Sequence, residues 1–176
     1  TIHAPAAIGA VAFGRGLAVS YQKGIIAAGS YKEGNGIVRT FNIFTGQEDA
    51  AQVVSPIGLD NFGLTLDMTS DGEHLIVSHY NSSSGQNDPA SIFQRNGAND
   101  GWNYIKSLDC NAPVGAGTGP TQVMIADDLT ISMITFASDS WRLNWCIVPY
   151  TDASPVFFTA VNDITSYSWN ASVRYG

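Results

Sequence analysis

The feature that most constrains the fold of this chain is an internal repeat. The segment that begins at Phe13-Gly14 aligns without a gap on the segment that begins at Phe62-Gly63, so that position 13 matches position 62 at an offset of 49 residues. Phe, Gly, Leu and Tyr are identical at four aligned positions. A third, weaker copy begins at Val123 and has lost the Phe-Gly start. Repeats of roughly 20–50 residues are typical of chains whose units bury their apolar faces against one another.

Each copy contains the same series of predicted elements. Four short apolar or alternating segments are separated by turns rich in Gly, Asn, Ser and Asp, and sustained 3.6-residue periodicity is hard to find anywhere. The pattern predicts an all-β chain with about three four-stranded antiparallel blades of the propeller type. We expect a single β domain over 1–176. Its approximate repeats are 13–58, 59–110 and 118–163, and an orphan C-terminal strand is predicted at 167–174.

Two local patterns refine this expectation. Ser70-Asp71-Gly72-Glu73 predicts a two-residue hairpin connection, because Asp-Gly tolerates the positive φ angles of a type I′ turn. The short apolar runs at 25–29 and 75–78 lack clean alternation. Such runs favour strands that are buried on both faces, as inner blade strands are between neighbouring blades.

These residues also carry a family resemblance. The run Thr69-Ser70-Asp71-Gly72, followed by Leu75 and Val77, resembles the strand-turn-strand of many bacterial and viral β-propellers. The Phe-Gly starts resemble the FG-GAP repeat of integrin-α-type propellers. The resemblance implies a propeller-like fold and is almost silent on function, since propellers host many unrelated activities. The Asp-x-Asp-x-Asp-Gly loop that many FG-GAP blades carry does not occur in this chain. Calcium binding is therefore not expected.

The predicted number of blades is too small to close a propeller ring. Propellers typically close with four to eight blades, whereas this chain holds three and an extra strand. Three solutions are open: the chain is a fragment, identical chains complete a ring, or the sheets close as a compact sandwich or barrel. We favour oligomeric packing, because uncovered apolar faces and strand edges promote association.

Composition excludes several kinds of partner. The net charge is −7, the sequence pI is about 4.6 and the eight Lys and Arg residues are scattered singly, which argues against nucleic-acid binding. No apolar run approaches the ~20 residues that a membrane-spanning helix needs, so no membrane partner is expected. Charged residues make up only 13% of the chain. A mostly neutral polar surface favours contacts with other protein subunits.

The search for chemistry predicts no catalytic residue, no cofactor and no metal site. His74 and His79 are five residues apart around a strand, so their side chains should point to opposite faces. The acidic pairs at 48–49 and 127–128 fit turn and cap positions better than the facing carboxylates of a glycosidase. No Gly-x-Ser-x-Gly elbow and no phosphate-binding loop occur. Whether Cys110 and Cys146 pair stays open.

Aromatic residues are concentrated after residue 100, where they fill wedges between sheets or serve as exposed contacts. The candidates for a ligand or interface surface are Trp141, Trp169, Trp102, Tyr167 and Tyr175. We expect a non-catalytic structural or interaction protein of a symmetric assembly, located in a virion, because the composition and blade style resemble virion components of tailed bacteriophages. The alternative is an extracellular, glycan-binding lectin-like module that uses the exposed Trp and Tyr side chains. A propeller glycosidase is a distant third.

Overall fold

A computed structural model describes the chain at residues 12–49, 51–58, 61–79, 90–97, 101–108, 122–137, 142–149 and 156–160. These residues form twelve strands and no helix. The strands build three four-stranded antiparallel sheets, each of which follows the order of the chain. The all-β fold with three four-stranded antiparallel sheets is thus confirmed. Within the described residues the sheets do not close into a barrel, so the barrel part of the alternative is wrong. The predicted strand at 167–174 lies outside the described residues.

The twelve described strands are divided equally among the three sheets. Sheet 1 contains β1 (Phe13–Ser20), β2 (Ile25–Ser30), β3 (Ile37–Asn42) and β4 (Val53–Val54). Sheet 2 contains β5 (Leu66–Met68), β6 (His74–Ser78), β7 (Ala90–Asn96) and β8 (Gly101–Leu108). Sheet 3 contains β9 (Gln122–Ile125), β10 (Thr130–Ala137), β11 (Arg142–Pro149) and β12 (Val156–Ala160).

The pairing register of the first hairpin repeats at the offset found in the sequence. In sheets 1 and 2 the aligned pairs are Leu17↔Ala28 with Leu66↔Val77, and Val19↔Ile26 with Met68↔Leu75. Every partner in sheet 2 lies 49 positions after its counterpart in sheet 1. Because a one-residue slip would turn each side chain to the other face of its sheet, this register fixes which residues of the two sheets are equivalent.

The hairpin turn of sheet 2 differs from its prediction. Gly72 alone has a positive φ, of 70°, and its N–H donates to the carbonyl of Thr69 at 2.9 Å, so the loop between β5 and β6 is longer than a two-residue type I′ turn. The Asp71 carboxylate accepts from the Thr69 hydroxyl at 2.6 Å and from the Glu73 N–H at 3.0 Å. These hydrogen bonds lower the pKa of Asp71. The side chain of Asp71 stabilises this loop by accepting local hydrogen bonds, as Asx turns do.

The core lies between the sheets, in two clusters. The cluster between sheets 1 and 2 contains Ala18, Ile25, Ala27, Val38, Val53, Phe62, Leu66, Met68, Leu75, Val77 and Phe93. The cluster between sheets 2 and 3 contains Ile76, Ala90, Ile92, Leu108, Val123, Ile125, Ile131 and Met133. Both faces of sheet 2 are therefore packed, as predicted for the short apolar run that contains Leu75, Ile76 and Val77.

Candidate functional site

The two core clusters define a consistent order of sheet faces. We call the face of a sheet that packs against the preceding sheet its front face, and the face that packs against the following sheet its back face. Leu66 and Met68 lie on the front face of sheet 2 and belong to the cluster with sheet 1. Val123 and Ile125 lie on the front face of sheet 3 and belong to the cluster with sheet 2. All four of these first-strand side chains are buried.

The front face of sheet 1 carries the equivalent residues, and no sheet formed by the described residues packs on it. Leu17 and Val19 are aligned with Leu66 and Met68, yet each of them is 54% exposed. On the same strand Ala18 is buried against sheet 2. Because neighbouring strand residues point to opposite faces, β1 turns its small side chain inward and its two large apolar side chains outward. This arrangement leaves an apolar stripe on the surface.

Two aromatic rings extend the stripe at the hairpin end of β1. Tyr21 is 77% exposed and Phe44 is 72% exposed, and their ring centroids lie 6.4 Å apart in an edge-to-face arrangement. Exposed aromatic side chains of this kind are enriched at protein interfaces, because they bury much area at low cost in side-chain entropy. We refer to Leu17, Val19, Tyr21 and Phe44 together as the sheet 1 patch.

The outer part of the same face is closed by charged side chains. Arg39 pairs with Ala28, which in turn pairs with Leu17, so all three lie on the front face. The Arg39 side chain is almost fully buried and donates to Glu33 at 2.7 Å and to Glu48 at 2.6 Å. This buried guanidinium is a structural ion pair with two carboxylates, although its Nε–H and Glu33 Oε2 have no hydrogen-bond partner among the described residues. The open apolar surface is therefore confined to the inner strand and its turn.

In sheet 3 an exposed apolar side chain lies on the opposite, back face. Met124 lies between the buried residues Val123 and Ile125 on β9. Its side chain points away from sheet 2 and is 43% exposed. In the other sheets this central position of the first strand is occupied by Ala18 and Asp67. Ala18 is covered by sheet 2, and the carboxylate of Asp67 accepts the N–H of Ile125 at 2.9 Å. Burial raises the pKa of Asp67, while this hydrogen bond opposes the shift.

The structure describes one of the five aromatic candidates from the sequence. Trp102 is half-buried, packs against the core between sheets 1 and 2 and lies beneath the guanidinium of Arg95, 5.9 Å from the ring centroid. Its indole N–H has no hydrogen-bond partner among the described residues. Trp141, Trp169, Tyr167 and Tyr175 lie outside the described residues, so their role stays a prediction. The same is true of Cys110 and of the side chain of Cys146.

A buried polar chain passes through His79, which follows β6. The His79 Nε2 atom lies 2.7 Å from Ser91 Oγ, and Ser91 Oγ lies 2.9 Å from Ser107 Oγ. On the other side His79 Nδ1 lies 3.4 Å from the hydroxyl of Ser55, which lines a surface pocket of about 450 Å³ with Val54 and neighbouring residues. No described carboxylate contacts the imidazole to orient it as in a hydrolase triad. Burial lowers the pKa of His79 to about 4.

The acidic residues that the sequence offers for catalysis have structural partners. Asp127 accepts from the N–H of Ser70 at 2.7 Å and from its hydroxyl at 2.6 Å. Asp49 accepts from the hydroxyl of Thr40 at 2.7 Å, and Asp128 accepts from the N–H of Thr130 at 2.9 Å. The described residues hold no group of three or more potential metal ligands. They include no helix long and apolar enough to cross a membrane.

The sequence contains a signal for the sheet 1 patch that aromatic counting overlooks. In Gly16-Leu17-Ala18-Val19-Ser20 the small residues alternate with large apolar ones. The alternation shows that the two faces of β1 differ, and the repeat alignment matches the large residues with buried ones in sheet 2. Only the position of this unit at the beginning of the series leaves them exposed.

No protein-family model matches the chain, and no curated protein matches it significantly.

Proposed function

We propose that this protein is a non-catalytic structural subunit of a symmetric assembly, in which other subunits cover the sheet faces that a single copy leaves open. The observation that carries the proposal is the exposure of Leu17 and Val19, at positions whose equivalents in sheets 2 and 3 are buried against a neighbouring sheet. Large apolar side chains grouped on one strand face typically mark a protein contact.

The polar groups of the described residues support the same function. The carboxylates of Asp67, Asp71 and Asp127 accept hydrogen bonds that stabilise turns or join sheets. The imidazole of His79 is buried beside Phe62 rather than presented to a ligand. Groups that serve the fold in this way are not arranged around a common space in which a substrate could react.

The location of the assembly is the finer part of the proposal. We place it in a virion, as a decoration or tail subunit of a tailed bacteriophage, since the low charge content and the blade-like repeats are similar to such components. An extracellular assembly is the alternative.

Sedimentation of the full chain over a wide concentration range tests the proposal. We expect a species heavier than the 18.7 kDa chain, with a mass that reaches a plateau at a small whole number of copies. A closed, symmetric assembly produces such a plateau, whereas non-specific aggregation produces a mass that grows without limit. A soluble 18.7 kDa species at every concentration would contradict the proposal.

A further inference from the structure

We propose that the contact in this assembly is head to tail: the back face of sheet 3 in one copy packs on the front face of sheet 1 in the next copy. The inference rests on the proposed function and identifies the surfaces that join the subunits. Met124 is the exposed apolar residue described on the first surface, and the sheet 1 patch of Leu17, Val19, Tyr21 and Phe44 is the second surface.

The two contacts inside the chain show the rule that the contact between copies would follow. In each of them the front face contributes two large apolar side chains from its first strand, Leu66 with Met68 or Val123 with Ile125. The back face that receives them contributes one central first-strand residue. Among the described sheets, one front face and one back face have no neighbouring sheet, which is the pair that a second copy of the same chain can supply.

The turns that follow the first strands are hydrogen-bonded to one another in the same order as the sheets. The Ser20 hydroxyl in sheet 1 donates to the carbonyl of Ser70 in the turn of sheet 2 at 2.6 Å. Ser70 in turn donates its N–H and its hydroxyl to Asp127 in the turn of sheet 3. The position equivalent to Ser70 and Asp127 in sheet 1 is Tyr21, which is exposed. Each turn therefore contacts the following one, and Tyr21 is the residue on which a turn from a preceding copy would lie.

The number of sheets in two copies and the net charge of the chain are both compatible with a head-to-tail pair. Two copies carry six sheets, within the four to eight that close typical rings of such sheets. Leu17, Val19 and Met124 bring no charge into the contact, which favours association because each copy has a net charge of −7. A contact between two sheet 1 patches would leave the back face of sheet 3 exposed and would form none of the turn contacts.

The test uses two full-length variants, Leu17→Asp and Met124→Asp. Each places a charge on a different face, where the proposed contact would bury it. Sedimentation should show that the wild type has twice the chain mass and that each variant alone is a monomer. When the two variants are mixed at equal concentration, a two-chain species should return, because the intact front face of one fits the intact back face of the other. Circular dichroism should still show the β signal of the wild type, since both positions are exposed in a single copy. If either Asp variant loses its β signal in circular dichroism, the experiment is repeated with Leu17→Ser and Met124→Ser.

Three results would overturn the inference. If Met124→Asp keeps the wild-type mass while Leu17→Asp is monomeric, the sheet 1 patches bind each other, and the proposed assembly stands without the head-to-tail contact. If both variants are monomeric and their mixture stays monomeric, the two faces do not pair. A wild type that is monomeric at every concentration overturns the inference together with the proposed function.

Discussion

The imidazole of His79 ties the stability of this protein to pH. It is fully buried against Phe62, with ring centroids 4.9 Å apart, and its nitrogens face the hydroxyls of Ser55 and Ser91. Hydroxyls can serve a neutral imidazole as donor and acceptor, but no described carboxylate balances a protonated one. Burial accordingly lowers the pKa of His79 from 6.5 to about 4.

The first prediction follows from that shift. The folded state favours the neutral imidazole, so its contribution to the free energy of unfolding is complete above pH 6.5 and decreases as the pH falls toward 4. Protonation should cost about 3 kcal/mol between these limits. Urea unfolding of the wild type and of His79→Gln at pH 7 and pH 4 measures it, because glutamine keeps a donor and an acceptor but does not titrate in this range. Equal losses in both proteins would show that His79 is not responsible.

Phe62 and Phe13 start their repeats alike but are not equally buried. Phe62 is fully buried between sheets, whereas Phe13 is half-buried and has an edge-to-face contact with Phe41, at a centroid distance of 6.0 Å. The sequence predicts equal core positions for the two rings, and this is wrong. The physical reason is that no sheet precedes sheet 1 in the described fold.

The second prediction is that this difference in burial changes how much each ring contributes to stability. Phe62→Ala should lower the free energy of unfolding by about 3–5 kcal/mol, as truncation of a buried Phe does. Phe13→Ala should cost clearly less, because the removed ring leaves a partly solvated space rather than a closed cavity. Denaturant unfolding of both variants at neutral pH measures the difference. Equal losses would show that the burial difference between the two rings does not control their contribution.

At the scale of elements, sheets 1 and 2 touch through backbone. A Cβ atom added at Gly29 on β2 would collide with the carbonyl oxygen of Gly63 in the segment that precedes β5. The backbone of Gly29 has no positive φ, so this glycine is required for space rather than for an unusual conformation. The absence of a side chain lets the two sheets approach closely enough to bury the core between them.

A third prediction tests that close approach. Gly29→Ala should lower the free energy of unfolding by about 1–3 kcal/mol or more, because the two sheets must separate or distort. Gly97→Ala is the matched control, since Gly97 also lacks a positive φ and a Cβ there meets nothing within 4 Å. Thermal unfolding of the two variants compares them directly. If both alanines have the same midpoint, the inter-sheet contact can adjust without cost.

The repeat predicts the elements better than it predicts their surroundings. Strand order and the register of the first hairpins follow from local sequence and from the offset of 49, because pairing in a meander depends on neighbouring strands and their turns. The burial of a side chain depends on whether another sheet packs on its face. Leu17 and Leu66 match in sequence, and only the three-dimensional order leaves one exposed and the other buried. For this reason the sequence pattern predicts an interface at aromatics such as Trp102, whereas the structure exposes apolar side chains on β1.

At the scale of the whole molecule, the described sheets form an open series rather than a closed one. Sheet 2 has a neighbour on both faces, while sheets 1 and 3 each have a neighbour on one. The apolar surface that remains is concentrated at the beginning of the series, where Leu17 and Val19 lie side by side on one face of β1. We propose that a protein built in this way is completed by association and that its function lies in the assembly that it forms.

The most direct test of this account is the native mass of Val19→Asp beside that of Ile105→Asp, measured by sedimentation at one concentration. Both residues are exposed and apolar, but Ile105 lies on β8 of sheet 2, whose two faces are already packed. A charge at position 19 would be buried without a partner in the contact between subunits, at a cost of several kcal/mol. We predict that Val19→Asp sediments as an 18.7 kDa monomer while Ile105→Asp keeps the mass of the wild type. Two variants with the same assembled mass would contradict the claim that another subunit covers the front face of sheet 1.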